Sequence, residues 1–372
     1  MQILNYIKFI SVIVILICSS TAIAIAQQLS PDKEIVDDIE IMETVLDRLL
    51  APEGIQIHFW GSNTRGYYLM NYGVIFNVNY PLMNKEMISI NLEKQFELTR
   101  KQFLYIDEEN NDEDVTRNAA ENFEKEIEQL KKSVIRFLGS WTSALTSLNP
   151  GEKVTVIVDF NGFAPRFPGA FEASLHQLIA SVPVGEIINY RKGKLNDEEF
   201  PRRVTFDQVK SIDEDISILS NVIRTSLEHV DSKTAFGISG DVRGIYFKGY
   251  GVIFFTDVTM GTNVFTIYSE ALSKAKERSI RIKSDSDLTK GRDQSKDKIE
   301  QKLIQLISNY GHTVRNLEPE DWFEIALNFI GFPLDDKYSK SIFKVQKKVI
   351  DDYNRGKIEF EQFRKIVQIT YY

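Results

Sequence analysis

The chain has very few of the residues that build disulfides, metal centres and the commonest catalytic sites. Cys18 is the only cysteine among 372 residues, and there are four histidines. Because Cys18 lies in an N-terminal segment that has the pattern of an export leader, the remainder of the chain contains no thiol. Such a chain cannot form disulfides, thiolate metal ligands or a cysteine nucleophile, so its fold has to be stabilised by burial of apolar side chains.

Catalytic motifs with recognisable spacing are also missing from the sequence. The histidines, at positions 58, 176, 229 and 312, form no H-E-x-x-H motif and no other close pair, which argues against a zinc hydrolase. The sequence contains no G-x-S-x-G nucleophile elbow, no phosphate-binding P-loop and no G-x-G-x-x-G segment. We therefore expect no metal and no cofactor. Whether the protein is an enzyme stays open at this point, with the balance against it.

The charge balance of the chain is acidic. It has 45 lysines and arginines against 53 aspartates and glutamates, a formal net charge of −8. Binding to nucleic acid relies on a surplus of positive charge facing the phosphates. We therefore expect no nucleic-acid partner.

The first 26 residues have the composition of a signal peptide. Lys8 precedes an apolar run over 9–17, and small residues ending in an A-x-A pattern lead to Ala26. This pattern predicts export to the periplasm or the extracellular space, with no membrane association once the leader is cleaved. The alternative is an uncleaved N-terminal anchor, because the apolar stretch 9–26 is long enough to span a bilayer.

The remainder of the chain is a tandem duplication. Residues 65–76 return as 243–254 with 8 of 12 positions identical. Further matches, in the same order, pair 159–163 with 328–332 and 190–195 with 353–358. We predict two diverged copies, 30–206 and 207–372, each within the usual size range of a domain.

Hydrophobic periodicity predicts the same series of elements in both copies. In the first copy we expect helices at 35–50 and 119–138, strands at 55–60, 67–69, 74–79, 153–160 and 175–182, and short helices around Gly193. In the second copy the counterparts include a helix at 296–310, strands at 323–329 and 341–349, and short helices around Gly356. The connections Met70-Asn71 and Lys248-Gly249 suit a tight turn with positive φ. A three-strand meander with further strands and helices predicts the α+β class with a mixed or antiparallel sheet in each copy.

The duplicated motif also supplies candidate binding residues. These are Arg65, Tyr68 and Tyr72 in the first copy and Arg243, Tyr246 and Tyr250 in the second. A guanidinium group offers a planar set of donors to an anion, and tyrosine rings suit the lining of a groove. The alternative is that these residues recur because both copies share one fold, and this is the simpler explanation.

Asp159 is the one candidate catalytic residue. It ends an apolar strand and matches Asn328, so a catalytic carboxylate would have been kept in the first copy and lost in the second. The alternative is that Asp and Asn both act as acceptors that start a turn.

These observations favour an exported, non-enzymatic binding or assembly component whose partner is another protein of the envelope or the extracellular space. Two alternatives remain. One is a carboxylate-dependent hydrolase with its site in the first copy, and the other is a structural surface protein that associates with itself.

Overall fold

The computed structural model describes residues 31–51, 63–80, 112–160, 176–209, 212–228, 236–260, 285–330 and 339–372. It divides the chain into two compact units, Asp32–Ile212 and Asp213–Tyr372. The expected leader, 1–26, and the expected strand at 55–60 lie outside the described residues. Within the described ranges, no helix is both long and apolar enough to cross a membrane.

The first unit is a five-stranded mixed sheet with helices. Its elements are α1 (Lys33–Leu50), β1 (Thr64–Leu69), β2 (Gly73–Asn79), α2 (Asp112–Ser140), β3 (Lys153–Asp159), β4 (Gln177–Pro183), α3 (Val184–Arg191) and β5 (Thr205–Val209). The strand order is β1-β2-β3-β4-β5. Strands β2 and β3 run parallel, and the other neighbours run antiparallel. Helix α2 lies between β2 and β3 in sequence, as the long crossover of a parallel pair requires.

The second unit repeats this plan. Its elements are α4 (Glu214–Glu228), β6 (Phe236–Phe247), β7 (Gly251–Met260), α5 (Asp285–Tyr310), β8 (Trp322–Ile330), β9 (Lys340–Gln346), α6 (Lys347–Asn354), α7 (Phe360–Ile366) and β10 (Gln368–Tyr371). The strand order is β10-β9-β8-β7-β6, and the parallel pair is β7 with β8. The predicted α+β class, with a similar mixed sheet in each copy, is confirmed.

The structure corrects the predicted elements in two places. The edge strands β5 and β10 were missed, because their side chains are mostly exposed or half-buried and carry little apolar alternation. Strand β5 extends to Val209 and the first compact unit to Ile212, and the predicted limits of the two copies, 30–206 and 207–372, stay a prediction. The strand expected at 341–349 is wrong at its end. Helix α6 begins at Lys347 and buries Lys347 and Ile350 at helical spacing.

Each helical layer packs on one face of its sheet. Helix α1 buries the apolar residues Ile35, Ile39, Met42, Leu46 and Leu50, which recur every three or four positions. They contact a core that includes Val74, Phe76, Val154 and Val156. Alternate residues of a strand point to opposite faces of the sheet. The strand residues between Val74 and Phe76, and between Val154 and Val156, therefore point away from the helices. In the second unit α4 buries Ile216, Leu219, Ile223 and Leu227 in the same way.

The glycine of the duplicated Arg-Gly pair permits close contact between helix and sheet. A Cβ added at Gly66 would overlap the side chains of Ile39 and Phe76. At Gly244 it would overlap Ile216 and Phe254. This packing accounts for the recurrence of the glycine without a ligand.

The turn before β2 has the predicted positive φ. Asn71 has φ 67° and the equivalent Gly249 has φ 76°. The connection has three residues rather than two, because Tyr72 precedes β2 and its N–H donates to the carbonyl of Leu69 at 3.0 Å. Next comes Gly73, or Gly251 in the second unit, with φ 123° or 142°. A Cβ at either glycine would overlap backbone atoms of the parallel neighbour strand.

These two positions of the second unit should respond differently to substitution. We expect Gly249→Asn to change the free energy of unfolding by less than about 0.5 kcal/mol, since asparagine occupies this position in the first unit. Gly251→Ala should lower it by roughly 2–4 kcal/mol, because backbone strain adds to overlap with Trp322. Urea unfolding followed by circular dichroism measures both free energies of unfolding.

Gly249→Ala is the matched control. Its alanine also has a strained positive φ, but its Cβ would have no atom within 4 Å. Equal losses for the two alanine variants would contradict the close approach.

Candidate functional site

The sheet face that points away from the helices has a row of polar side chains in each unit. In the first unit the Tyr72 hydroxyl lies 2.9 Å from Thr155 Oγ1, which lies 2.9 Å from Ser181 Oγ. Thr155 is completely buried. Each hydroxyl can donate and accept, so the three form hydrogen bonds with one another without any charge.

In the second unit the equivalent row is charged. The Tyr250 hydroxyl donates to Glu324 Oε1 at 2.6 Å, and Lys344 Nζ donates to the Tyr250 hydroxyl at 2.9 Å. Lys344 Nζ also lies 2.9 Å from Glu324 Oε1, with the two side chains 10% and 0% exposed. The ammonium group is 4.2 Å from the centroid of the Trp322 ring, which adds a cation–π contact. The row is thus a buried ion pair whose two members are both hydrogen-bonded to a tyrosine.

Strand pairing shows that the two rows occupy equivalent places. Thr155 pairs with Ile75 and with Ser181 across the sheet. Glu324 pairs with Ile253 and with Lys344 in the same way. Tyr72 and Tyr250 could be found in the sequence because they recur. Their hydrogen-bond partners could not be found in this way, because they differ between the copies. One signal was available, namely a single acidic residue within the apolar run of β8.

A second polar row crosses the far ends of the same strands. It consists of Asn79, Asp159 and Gln177 in the first unit and of Asp257, Asn328 and Lys340 in the second. Asp159 is 3% exposed, and Asn328 Nδ2 donates to Asp257 Oδ1 at 2.7 Å. The second unit therefore also has a carboxylate in this row, one strand away from the position of Asp159. A catalytic role for Asp159 stays a prediction. Within the described part of the chain, no three His, Cys, Asp or Glu side chains form a group that could hold a metal ion.

The two arginines of the duplicated motif lie on the same face as these rows. Arg65 pairs with Asn77 across β1 and β2, and Arg243 pairs with Phe255. Both arginines are half-buried, and the Nε atom of each is buried. Arg65 Nη1 donates to the backbone carbonyl of Thr64 at 3.0 Å. Binding of an anion by either arginine stays a prediction.

Tyr68 and Tyr246 lie on the opposite face, beside the helical core of their own unit. The Tyr68 hydroxyl donates to Glu152 Oε1 at 2.8 Å, and Glu152 Oε2 accepts from the backbone N–H of Asn149 at 2.7 Å. The equivalent of Glu152 is Asp321, which keeps the same bond to the turn. The tyrosines of each copy are thus divided between the two faces of the sheet.

Burial and nearby carboxylates shift the pKa values of these tyrosines upward. Burial, followed by the hydrogen bond to Glu152 and its charge, raises the pKa of Tyr68 to about 12. Burial, followed by the charge of Asp321, raises the pKa of Tyr246. Burial also raises the pKa of Tyr72, although its bond to Thr155 opposes the shift. All three phenols therefore act as neutral hydrogen-bonding groups near neutral pH.

Comparisons with known proteins add little to this description. No protein-family model matches the chain, and a comparison with curated proteins finds no match. Among solved structures, the crystal structure of the sex pheromone staph-cAM373 precursor aligns with 91% of this chain and 92% of its own, at 8% sequence identity and a TM-score of 0.21. A similarity at that score carries no argument about fold or function.

The charged row of the second unit should behave as one coupled set. Glu324→Thr or Lys344→Ser alone leaves a buried charge without its ion-pair partner, which costs about 3–5 kcal/mol. The double variant recreates the Thr–Ser pair of the first unit and should be less destabilised than the sum of the singles by about 1–3 kcal/mol. Urea unfolding of the four proteins gives this coupling energy. Additive single effects would contradict the coupled row.

Tyr68 should make stability depend on pH in the alkaline range. Its folded pKa of about 12 exceeds the ordinary value of 10.0, so its contribution is complete below pH 10 and is lost as pH rises towards 12. We expect Tyr68→Phe to lessen the fall of the urea midpoint over this range. Glu152→Gln should keep the phenol but let it ionise at lower pH, as tyrosinate absorbance reports. An unchanged alkaline slope in both variants would contradict the assignment.

Proposed function

We propose that the chain is an exported, non-enzymatic binding or assembly component of the cell envelope or the extracellular space, and that its partner is another protein. One observation carries the proposal, namely exposed apolar side chains at equivalent positions of both copies. Ile41 and its counterpart Ile218 are 57% and 54% exposed. Trp141 and its counterpart Tyr310 are 42% and 45% exposed.

Core packing does not explain why these positions stay apolar. Ile39 and Ile216 recur because each fills the core beneath its helix, and both are nearly inaccessible to solvent. Ile41 and Ile218 lie on the outer side of the same helices. Aromatic side chains are enriched at surfaces that contact another protein, so an exposed Trp or Tyr at a shared position supports a binding surface there.

The two exposed positions of the second unit lie at one end of its helical layer. Arg315 follows the C-terminus of α5 and forms a two-bond contact with Asp215 in the first turn of α4, at 2.7 and 2.9 Å. Ile218 lies one turn after Asp215, and Tyr310 is the last residue of α5. This contact supports the inclusion of both side chains in one binding surface.

The hydrogen bonding of the sheet supports the same assignment. The hydroxyl groups of Tyr68, Tyr72 and Tyr250 are bonded to side chains of their own sheet or of the turn beside it. These hydroxyl groups therefore stabilise the fold of their own unit. Export rests on the N-terminal sequence pattern alone.

Capture of the partner from the native envelope tests the proposal. The tagged mature protein is crosslinked in place, purified and analysed by mass spectrometry. We expect a stoichiometric partner whose recovery falls at least about five-fold in the variant Ile41→Ser with Ile218→Ser, since exposed apolar anchors at interfaces are worth about 1 kcal/mol or more each.

The matched control removes exposed apolar side chains that do not recur. Met70 and Ile366 are 41% and 43% exposed, and their counterparts are Lys248 and Arg203. The variant Met70→Ser with Ile366→Ser should recover the partner as well as the wild type does. Equal losses in both double variants would contradict the proposed surface. Recovery of the chain alone would favour the alternative of self-association.

A further inference from the structure

An open depression of about 550 Å³ lies where the end of α5 meets the turn between α6 and α7. Its lining includes Ser308, Tyr310, Tyr353, Asn354, Ile358 and Glu359. Two tyrosines, the asparagines Asn309 and Asn354, a serine and a glutamate therefore border an open space of the size that proteins use for small ligands.

The electrostatics of this depression favour a cation. Helices α5 and α6 both end there, and the C-terminus of a helix carries a partial negative charge. Neither helix has a basic residue in its last turn. Glu359 adds a carboxylate. It caps α7 by accepting from the backbone N–H of Gln362, and a carboxylate retains acceptor sites for a further donor.

The aromatic rings at the equivalent place in the first copy lie closer together. The counterparts of Tyr353 and Phe363 are Tyr190 and Phe200, whose rings stack at 4.5 Å. Gly139 occupies the position of Ser308, and a Cβ there would overlap Phe200. In the second copy the rings of Tyr353 and Phe363 are 5.3 Å apart and tilted by 44°.

The first copy also supplies its own cation at this corner. Arg191 occupies the position of Asn354, and its Nη1 donates to the backbone carbonyl of Ser143 at 3.2 Å. Asn196 occupies the position of Glu359. The second copy thus has an amide in place of the guanidinium and a carboxylate in place of an amide, and both changes increase its preference for an external cation.

We propose that this depression binds the guanidinium group of an arginine side chain from a partner protein. Guanidinium stacks on aromatic rings and matches a carboxylate with two parallel donors, which favours arginine over lysine. The adjoining turn has two cations of its own. Lys357 is paired with Asp352 at 2.7 Å. Arg355 is exposed, so solvent screens its repulsion of a bound guanidinium group. The inference deepens the proposed binding function and rests on it.

Titration of the mature chain with a small arginine derivative tests the site. The probe is N-acetyl-arginine amide, and its neutral isostere N-acetyl-citrulline amide is the ligand control. With fluorotyrosine-labelled protein, we expect the ring signals of Tyr310 and Tyr353 to shift with a Kd on the order of 1 mM for the arginine probe. Citrulline should bind at least about ten-fold more weakly because it lacks the charge.

A substitution taken from the first copy supplies the matched variant. Asn354→Arg places an internal guanidinium at the depression and should weaken binding of the arginine probe at least about ten-fold. Gln301→Arg adds the same charge at an exposed position on α5 and should leave binding within about two-fold of the wild type. Equal binding of arginine and citrulline, or binding unaffected by Asn354→Arg, would overturn the proposal.

The two proposals fail in distinguishable ways. If Ile41→Ser with Ile218→Ser reduces partner capture but the arginine probe does not shift Tyr310 or Tyr353, the guanidinium site is wrong and the binding function stands. If the probe binds as expected but no partner is captured, the binding function is contradicted and the guanidinium site is supported.

Discussion

The parallel contact between β2 and β3, repeated as β7 with β8, is the constraint on which the rest of each unit depends. The carbonyl of Tyr72 accepts from the N–H of Lys153 at 2.8 Å, and the same bond joins Tyr250 to Trp322. The strands meet there because a glycine begins β2 and β7. A parallel pair needs a long crossover, and α2 and α5 provide it. The position of the helical layer and the alignment of the polar rows across the sheet both follow from this contact.

The duplication separates what the fold requires from what can change. Some features recur because backbone geometry allows few other residues at these positions. They are the glycine at 66 or 244, the turn before β2 or β7, and the parallel contact. The buried rows instead change as complete sets, from three hydroxyls around Thr155 to an ion pair around Glu324. A single exchange would leave a buried polar group without a suitable partner, which is costly, whereas the matched exchange keeps Tyr250, Lys344 and Glu324 Oε1 bonded to one another. The exposed isoleucines and aromatics follow neither rule, which supports the proposal that they contact a partner.

The sequence predicted the elements whose signals are local and strong. The apolar spacing of α1, the alternation in β2 and the positive φ at Asn71 and Gly249 each follow from chain geometry. The edge strands could not be predicted, because β5 and β10 have little buried apolar surface and are defined by their pairing with β4 and β9. The acidic residue within the apolar run of β8 pointed to Glu324, but its pairing with Lys344 could not be predicted, since it depends on strand register. The depression beside Tyr310 depends on packing between helix ends and leaves no pattern in the sequence.

We propose that the helical layer of each unit binds a partner, while the polar rows of the sheets stabilise the fold. Site-specific photocrosslinking in the native envelope tests it most directly, with the reactive residue placed at Ile41 or Ile218 and, for comparison, at Ile366. We expect positions 41 and 218 to crosslink to one protein and position 366 not to do so. Crosslinks to that protein from position 366, with none from positions 41 and 218, would contradict it.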